Sequence, residues 1–154
     1  MNQLAQDLSR LLVRELEGFR REVELFPDDE SVWKTTAGVT NSAGNLALHV
    51  AGNLQHFVGA VLGQTGYVRQ REEEFSRRAG SRDALTHELE ATIAAIERVL
   101  PMLTPAQLGA DYPLTIGGRR MSTELVLLHL SAHLAMHLGQ AGYLRRILTG
   151  DARS

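Results

Sequence analysis

The sequence predicts an all-α protein, a four-helix bundle formed by a single domain over residues 1–154. Apolar residues recur at helical spacing in four segments, and residues that cap or break helices fall between them. A chain of 154 residues is long enough to bury one hydrophobic core. Long helices with short or moderate connections favour an antiparallel bundle, and the longer second connection leaves an up-down-down-up order open.

The first two helices have clear start and stop signals. Leucines and Phe19 form an apolar stripe over residues 3–25, and a proline two residues later ends the helix. The following loop is rich in turn-forming residues. Asn41 or Ser42 is expected to cap the second helix, which continues to about Leu62.

The third and fourth helices are delimited in the same way. Ser81 is expected to cap a helix over residues 82–100, after which two prolines interrupt the chain. Ser122 or Thr123 would cap the last helix, which runs to about Leu148 and is followed by a glycine. Between these helices, the sequence PAQLG predicts a short turn, and the Gly-Gly pair at 117 and 118 predicts a short extended turn.

The remaining segments carry weaker signals. The stretch RQREEEFSRR at residues 69–78 is expected to be an exposed charged loop, although its Arg69, Arg71 and Glu74 could line the mouth of a site. Trp33 and Phe57 are expected to be core or interface residues.

Composition limits the classes of function. The formal net charge is −2 and no basic tract is present, so nucleic-acid binding is not expected. No stretch has the roughly 18 to 20 uncharged apolar residues of a membrane span, and the N-terminus lacks the apolar run of a signal peptide. We therefore expect a cytoplasmic protein with no membrane partner. The chain has no cysteine, so a metal site would have to use His, Asp or Glu.

The segment VLLHLSAHLAMHLGQ contains three histidines at intervals of four residues. At about 100° per residue, His133 and His137 lie only about 40° apart, on the side of the helix that faces the core. Buried imidazoles need a hydrogen bond, a charged partner or a metal ion, and the i,i+4 spacing lets two rings reach one ion. Leu134 stands where the HExxH motif has its glutamate, which argues against a metallopeptidase.

A third ligand would have to come from another helix. His49 and His56 are the candidates, but they lie two turns apart and only one can be level with the pair. His129 lies one turn from His133 and could instead support the ligands. His87 is expected to be solvated. The alternative is that the apolar-face histidines are hydrogen-bonded core residues without a metal.

Three segments together carry a family resemblance: NLALHVAGNLQHF, YVRQREEEF and LLHLSAHLAMHLGQAGYLRRIL. They resemble the DinB-like (YfiT-type) family of metal-dependent four-helix proteins, in particular a small uncharacterised branch. The resemblance covers most of the chain and implies a divalent metal, zinc or nickel, bound by His49, His133 and His137. The role of His56 stays open, because relatives often have a basic residue at its position.

The resemblance also suggests a class of chemistry. Members of the wider family resemble S-transferases and isomerases that use bacillithiol, mycothiol or glutathione, with the metal activating the thiol as its thiolate. By this reading Asn53 and Gln140 would hydrogen-bond around the ligands, and Arg69 or Arg71 would bind a carboxylate of the cosubstrate. A hydrolase that uses a metal-activated water is the competing enzymatic class.

A non-enzymatic reading remains beside these. The family resemblance implies a homodimer, and its metal site could be structural or degenerate. The small residues Gly52, Gly59, Ala60 and Gly63 could allow two copies to pack closely, or they could face a helix of the same chain. Regulation through DNA ranks last, since no basic recognition helix is evident.

Overall fold

The computed structural model describes residues 2–153, and it consists of helices and connecting loops. The predicted helical fold is confirmed, with helix boundaries close to expectation except in the second long helix, where the α-helix ends at Leu54. Six α-helices follow one another along the chain: α1 Gln3–Leu25, α2 Ala43–Leu54, α3 Arg71–Ser76, α4 Arg82–Val99, α5 Pro105–Gly109 and α6 Thr123–Thr149. The helices α1, α2, α4 and α6 form the bundle, and α3 and α5 are short helices in the connections.

The capping residues are the ones that the sequence indicates. The side chain of Ser42 accepts a hydrogen bond from the backbone N–H of Asn45, and the Asn45 side chain accepts from the N–H of Ser42 in return. Ser81 and Ser122 cap α4 and α6 in the same manner, each accepting from an N–H three residues on. Gly150, with φ +70°, ends α6 in the left-handed conformation that favours glycine.

The four long helices are arranged up, down, down, up. Arg20 of α1 pairs with Glu90 of α4, and the start of α4 lies near the end of α1, so these helices are antiparallel. Gly18 of α1 packs on Leu138 of α6, whereas Glu22 lies beside Gly142, so α1 and α6 run parallel. The helices α1 and α2 each pack against both α4 and α6 around one apolar core but make few contacts with each other. They therefore occupy diagonal corners of the bundle.

The second long helix changes its geometry partway. After Leu54 the backbone continues as a π-helical segment, Gln55–Leu62, which had been expected to be ordinary α-helix. Wider turns leave backbone carbonyls without their usual partners, and the hydroxyl of Tyr112 donates to the carbonyl of Phe57 at 2.7 Å. The Tyr112 loop, just before the Gly117-Gly118 turn, is thereby fixed to the bundle. Both glycines have positive φ, as a tight turn of this kind requires.

The charged stretch before α4 also departs from expectation. The stretch RQREEEFSRR is not simply an exposed loop, because its central part forms α3 and Glu74 is buried. The buried side chain of Asn45 holds α3 against α2 by donating to the carbonyls of Glu74 and Arg77, at 3.0 and 2.8 Å. The spacing of the charged residues could not predict that α3 packs on α2, since the contact is made by backbone carbonyls.

The small residues of the second helix mostly face their own chain. A Cβ atom at Gly63 would lie 2.3 Å from a Val99 methyl group, and one at Gly59 would contact Thr65 and Ala95. These glycines therefore allow α4 to pack closely within the monomer, and Gly52 faces α3. The described helices include none that is both long and apolar enough to cross a membrane.

A buried ion pair lies at the end of the bundle opposite the start of α6. The Arg145 side chain is fully buried and donates to the carboxylate of Glu22, which is also buried. Its other nitrogens donate to the backbone carbonyls of Asp151 and Arg153. Arg145 thus joins α1, α6 and the C-terminal segment at one point.

Candidate metal centre

Three histidine rings meet between α2 and α6. The Nε2 atom of His133 lies 3.1 Å from the Nε2 atom of His49 and 3.1 Å from that of His137. The candidate ligand atoms of the three residues all lie within 4.8 Å of one another. The three rings are steeply inclined to each other, with interplanar angles of 74°, 87° and 89°. The rings therefore point their edges at a common centre and do not stack.

The helices bring these rings together for simple geometric reasons. His133 and His137 lie one turn apart on α6, so their side chains leave the same side of the helix. The antiparallel helix α2 brings His49 level with this pair, and His49 is buried while the other two rings are partly exposed. The centre thus lies at the edge of the core and close to solvent.

The hydrogen bonds around the rings determine which nitrogen carries a proton. The Nδ1 atom of His49 faces Glu74 Oε1 at 3.0 Å, and that of His137 faces Gln140 Oε1 at 2.8 Å. Both oxygens are acceptors, so each Nδ1 must donate, and in a neutral ring Nε2 then carries a lone pair. Two lone pairs consequently point at the centre from His49 and His137. His133 could donate a proton to one of them but not to both.

A cation at the centre would satisfy all three nitrogens. Zinc is bound by imidazole nitrogen at about 2.0–2.1 Å, which in tetrahedral geometry places the nitrogens about 3.3 Å apart. The two observed separations of 3.1 Å are close to this value. The donor set also fits, because neutral imidazole is a ligand for several divalent transition metals. The three histidines therefore form a group that could hold a metal ion.

Burial keeps the ligand nitrogens available at neutral pH. Burial is the main reason that the pKa of His133 falls to about 4, and the neighbouring histidines lower it further. Burial likewise lowers the pKa of His137, although its hydrogen bond to Gln140 opposes this. Both rings are neutral near pH 7, which is the form that binds a metal.

Glu74 and Arg69 orient the buried ligand. Arg69 binds the Glu74 carboxylate through two nitrogens, each at 2.8 Å from an oxygen, while Glu74 accepts from His49. Burial raises the pKa of Glu74, but the hydrogen bonds from His49 and Arg69 outweigh it, and the pKa lies below its usual value. The ionised carboxylate holds the His49 ring in place, as in the carboxylate–histidine pairs of metal sites.

Gly52 makes the space for this carboxylate. A Cβ atom at position 52 would lie 2.1 Å from Glu74 Oε2, closer than any real contact allows. We expect Gly52→Ala to displace Glu74 and to weaken metal binding by about 10- to 100-fold, the usual effect of losing a partner of a ligand. Competition with a chromogenic chelator would measure this.

Gly139→Ala is the matched control for that variant. Gly139 is also a helical glycine, but a Cβ atom there would meet nothing within 4 Å. Its replacement should leave the metal affinity unchanged and stabilise the helix by up to about 1 kcal/mol. If the two variants bound metal equally well, Glu74 would not be orienting the site.

The other residues singled out in the sequence lie at varying distances from the trio. Gln140 contacts the trio, because its side-chain oxygen accepts a hydrogen bond from His137. Asn53 is buried one turn after His49, and its Oδ1 atom has no hydrogen-bond partner among the described residues. His129 is exposed, with its ring centroid 6.2 Å from that of His133.

Three more of these residues lie outside the trio. His56 packs against Phe57 in the π-helical segment, and His87 is exposed at the surface of α4. The Arg71 guanidinium lies over the ring of Phe75, which in turn contacts the ring of His49 at a centroid distance of 4.8 Å. Of the two arginines, Arg69 is therefore engaged with Glu74, and Arg71 reaches the site only through Phe75.

The sequence did not reveal the roles of two residues of the site. Glu74 was expected at most at the mouth of a site, and nothing in its run of three glutamates marks the third one as buried. Gly52 had a detectable signal, because a glycine inside an apolar helix costs about 1 kcal/mol relative to alanine and needs a reason. It lies three residues after His49 on the same face, which would have pointed to a bulky group behind that ligand.

The fold and the site together define an all-helical bundle with a three-histidine centre between its second and last long helices. The chain belongs to the DinB superfamily, whose family model matches residues 11–141. Among solved structures, it is similar to a conserved protein from Enterococcus faecalis, with a TM-score of 0.78 and 20% sequence identity. That match covers 98% of this chain and 100% of the other and supports the fold. No functionally curated protein matches the chain.

Proposed function

We propose that the protein is a metal-dependent thiol S-transferase, with a zinc or nickel ion held by His49, His133 and His137. The observation that carries the proposal is the ligand set, three imidazoles with no fourth protein ligand in the group that residues 2–153 form. Structural zinc sites are closed by four protein ligands, whereas catalytic sites keep a position for water or substrate. A three-ligand centre at the edge of the core fits the second kind.

The charge of the centre favours a thiol as the molecule to be activated. A bound divalent cation would supply positive charge that lowers the pKa of a thiol, so that the thiolate, the nucleophilic form, is present at neutral pH. The three ligands add no negative charge, and Glu74 is already neutralised by Arg69. Since the chain has no cysteine, the sulfur must come from a low-molecular-weight thiol.

The residues around the trio have separate tasks in this reaction. Glu74 and Gln140 hold the rings of His49 and His137 so that each Nε2 atom faces the centre. Transfer then forms one bond between the thiolate sulfur and an electrophilic carbon, while the bond to the leaving group breaks and the thiol proton passes to solvent.

A cleft next to the centre could receive the electrophile. It has a volume of about 350 Å³ and lies between the loop before α2 and the second half of α6. Gln140, which contacts His137, is in its wall, and Leu46, Tyr143, Leu144 and Ile147 make much of the wall apolar. We therefore expect the electrophile to have an apolar part.

Cobalt substitution tests the proposal directly. Protein loaded with Co²⁺ is titrated with glutathione, bacillithiol and mycothiol, and sulfur coordination is read from the charge-transfer absorption between sulfur and cobalt. A new band with at least one thiol, lost in His133→Ala and kept in His87→Ala, is the expected result. Cobalt binding without a band for any of the three would overturn the thiol proposal while leaving the metal site in place. Ester hydrolysis by such a protein would favour the hydrolase class.

A further inference from the structure

The part of the chain that carries α3 is attached to the bundle mainly by polar contacts. We call residues 66–80 the α3 segment. Within this range, which the structure describes in full, Glu74 is the one buried residue, and none of the apolar side chains belongs to the hydrophobic core. A cavity of about 230 Å³ separates part of the segment from α2, with Gly52 on one side and Tyr67 on the other. Segments with few buried apolar contacts open locally at a low cost in free energy.

Glycines stand at both ends of the α3 segment. Gly66 has φ +80°, and a Cβ atom there would meet nothing within 4 Å, so neighbouring atoms do not restrict the chain at this point. Gly80, at the other end, has φ +153°. Hinges are formed by a few residues at the ends of an element that absorb changes in φ and ψ, and small residues are common among them. The two glycines are therefore suited to act as hinges for the residues between them.

Hydrogen bonds to α2 hold the middle of the α3 segment in place. The side chain of Asn45 donates to the backbone carbonyls of Glu74 and Arg77. The carboxylate of Glu74 accepts from Nδ1 of His49 at 3.0 Å. The second of these contacts ends on a candidate metal ligand, so the position of the segment depends on the ring of His49.

We propose that the α3 segment is a flap that closes over His49, and that its closure and the binding of a metal ion at the trio favour each other. The inference rests on the metal site of the proposed function but not on its thiol chemistry. Closure brings the carboxylate of Glu74 to Nδ1 of His49, whereas Nε2 of the same ring faces the centre of the trio. The flap and the ion therefore act on one imidazole from its two sides.

The coupling has a physical cause and works in both directions. A cation on Nε2 draws electron density from the ring of His49 and makes its Nδ1–H group a stronger donor, so the hydrogen bond to the carboxylate of Glu74 becomes stronger. Opening the α3 segment then costs more free energy than it does without the ion. By linkage, the factor by which the ion favours the closed segment equals the factor by which closure raises the metal affinity. Couplings between two sites are usually about 5- to 150-fold.

Amide hydrogen exchange gives the first test. The backbone N–H groups of Glu73, Glu74 and Arg77 are hydrogen-bonded within the α3 segment, so they exchange when it opens. Adding Zn²⁺ to metal-free protein should slow this exchange by about 5- to 150-fold and leave the connecting loop of residues 111–121 unaffected. The zinc content of the same sample is measured alongside. If zinc binds and the exchange does not change, the coupling is overturned and the metal site stands. If no zinc binds, the proposed function fails and the coupling fails with it.

The variant Asn45→Asp tests the coupling in the reverse direction. Its carboxylate can still accept from Ser42 and keep the cap of α2, but it has no N–H group to donate to the carbonyls of Glu74 and Arg77. The α3 segment should open more often, because the hydrogen bonds that hold its backbone against α2 are lost. The affinity for Zn²⁺, measured by competition with a chelator, should then fall by a factor in the same range.

The single tryptophan of the chain reports whether the α3 segment has opened. Trp33 donates from its ring nitrogen to the carbonyl of Gly80 at 2.9 Å, so its fluorescence should shift to the red in Asn45→Asp. Gln107→Glu is the matched control, because it makes the same amide-to-carboxylate change at the corresponding position of the capping box of α5. This control should keep the wild-type fluorescence and zinc affinity. A red shift in Asn45→Asp with wild-type zinc affinity would show that closure and metal binding are independent, and it would overturn the inference.

Discussion

Replacing His133 with alanine is expected to abolish metal binding. His133 is the middle member of the trio, with its Nε2 atom 3.1 Å from each of the other two, so its loss leaves two nitrogens that belong to different helices. Two imidazoles are too few to retain a divalent ion through purification, and the metal content should fall from about one ion per chain to nearly none. Elemental analysis of untagged protein, purified without chelators and reloaded at neutral pH, measures this.

Two histidines outside the trio serve as controls for that experiment. His87→Ala changes a solvent-exposed ring on α4, and His129→Ala changes an exposed ring on the same helix as His133. Both variants should keep the wild-type metal content, whereas His49→Ala and His137→Ala should lose it. An unchanged metal content in His133→Ala would mean that the three rings are hydrogen-bonded core residues and that any bound metal lies elsewhere.

Replacing Arg145 with alanine is expected to destabilise the fold by about 3–5 kcal/mol, since it leaves the carboxylate of Glu22 buried without its charged partner. Both side chains lie among the most buried parts of the bundle, and Arg145 also binds two carbonyls of the C-terminal segment. Chemical unfolding followed by circular dichroism would measure the loss in the free energy of unfolding.

Two further variants separate the buried charge from the loss of packing. Arg10→Ala removes an arginine whose side chain is 75% exposed, and it should change stability by less than about 1 kcal/mol. The double replacement of Glu22 by leucine and Arg145 by methionine removes both charges and should recover most of the stability. If the double variant were as unstable as Arg145→Ala, the cost would lie in packing or in the C-terminal contacts.

Much of the bundle could be predicted because the signals are local. Ser42, Ser81 and Ser122 cap helices through their own hydrogen bonds, and the apolar spacing of each long helix reports which side is buried. The π-helical segment could not be predicted in this way. Its composition is ordinary for an α-helix, and its wider turns depend on contacts such as the one from Tyr112, far away in the chain.

The residues of the candidate site also differ in whether local sequence signals predict them. The spacing of His133 and His137 is a property of one helix, and the family resemblance supplied His49 as the third member. Glu74 was considered only for the mouth of a site, because it becomes buried beside His49 only when Asn45 holds α3 against α2 and Gly52 leaves a gap for its carboxylate. When a polar partner of a ligand belongs to a separate short helix, the spacing of residues in the sequence does not predict it.

The π-helical segment also has a consequence for comparing this chain with its relatives. Each of its turns holds more residues than an α-turn, so residues before and after Gln55–Leu62 belong to different helical phases. Before the segment, the helix presents His49 to α6, and after it Gly63 to α4. A relative with a regular helix here would need one residue fewer to present the same two faces. Alignments should therefore allow a single-residue gap in this segment, or the ligand histidine and the packing glycines will not both be matched to their counterparts.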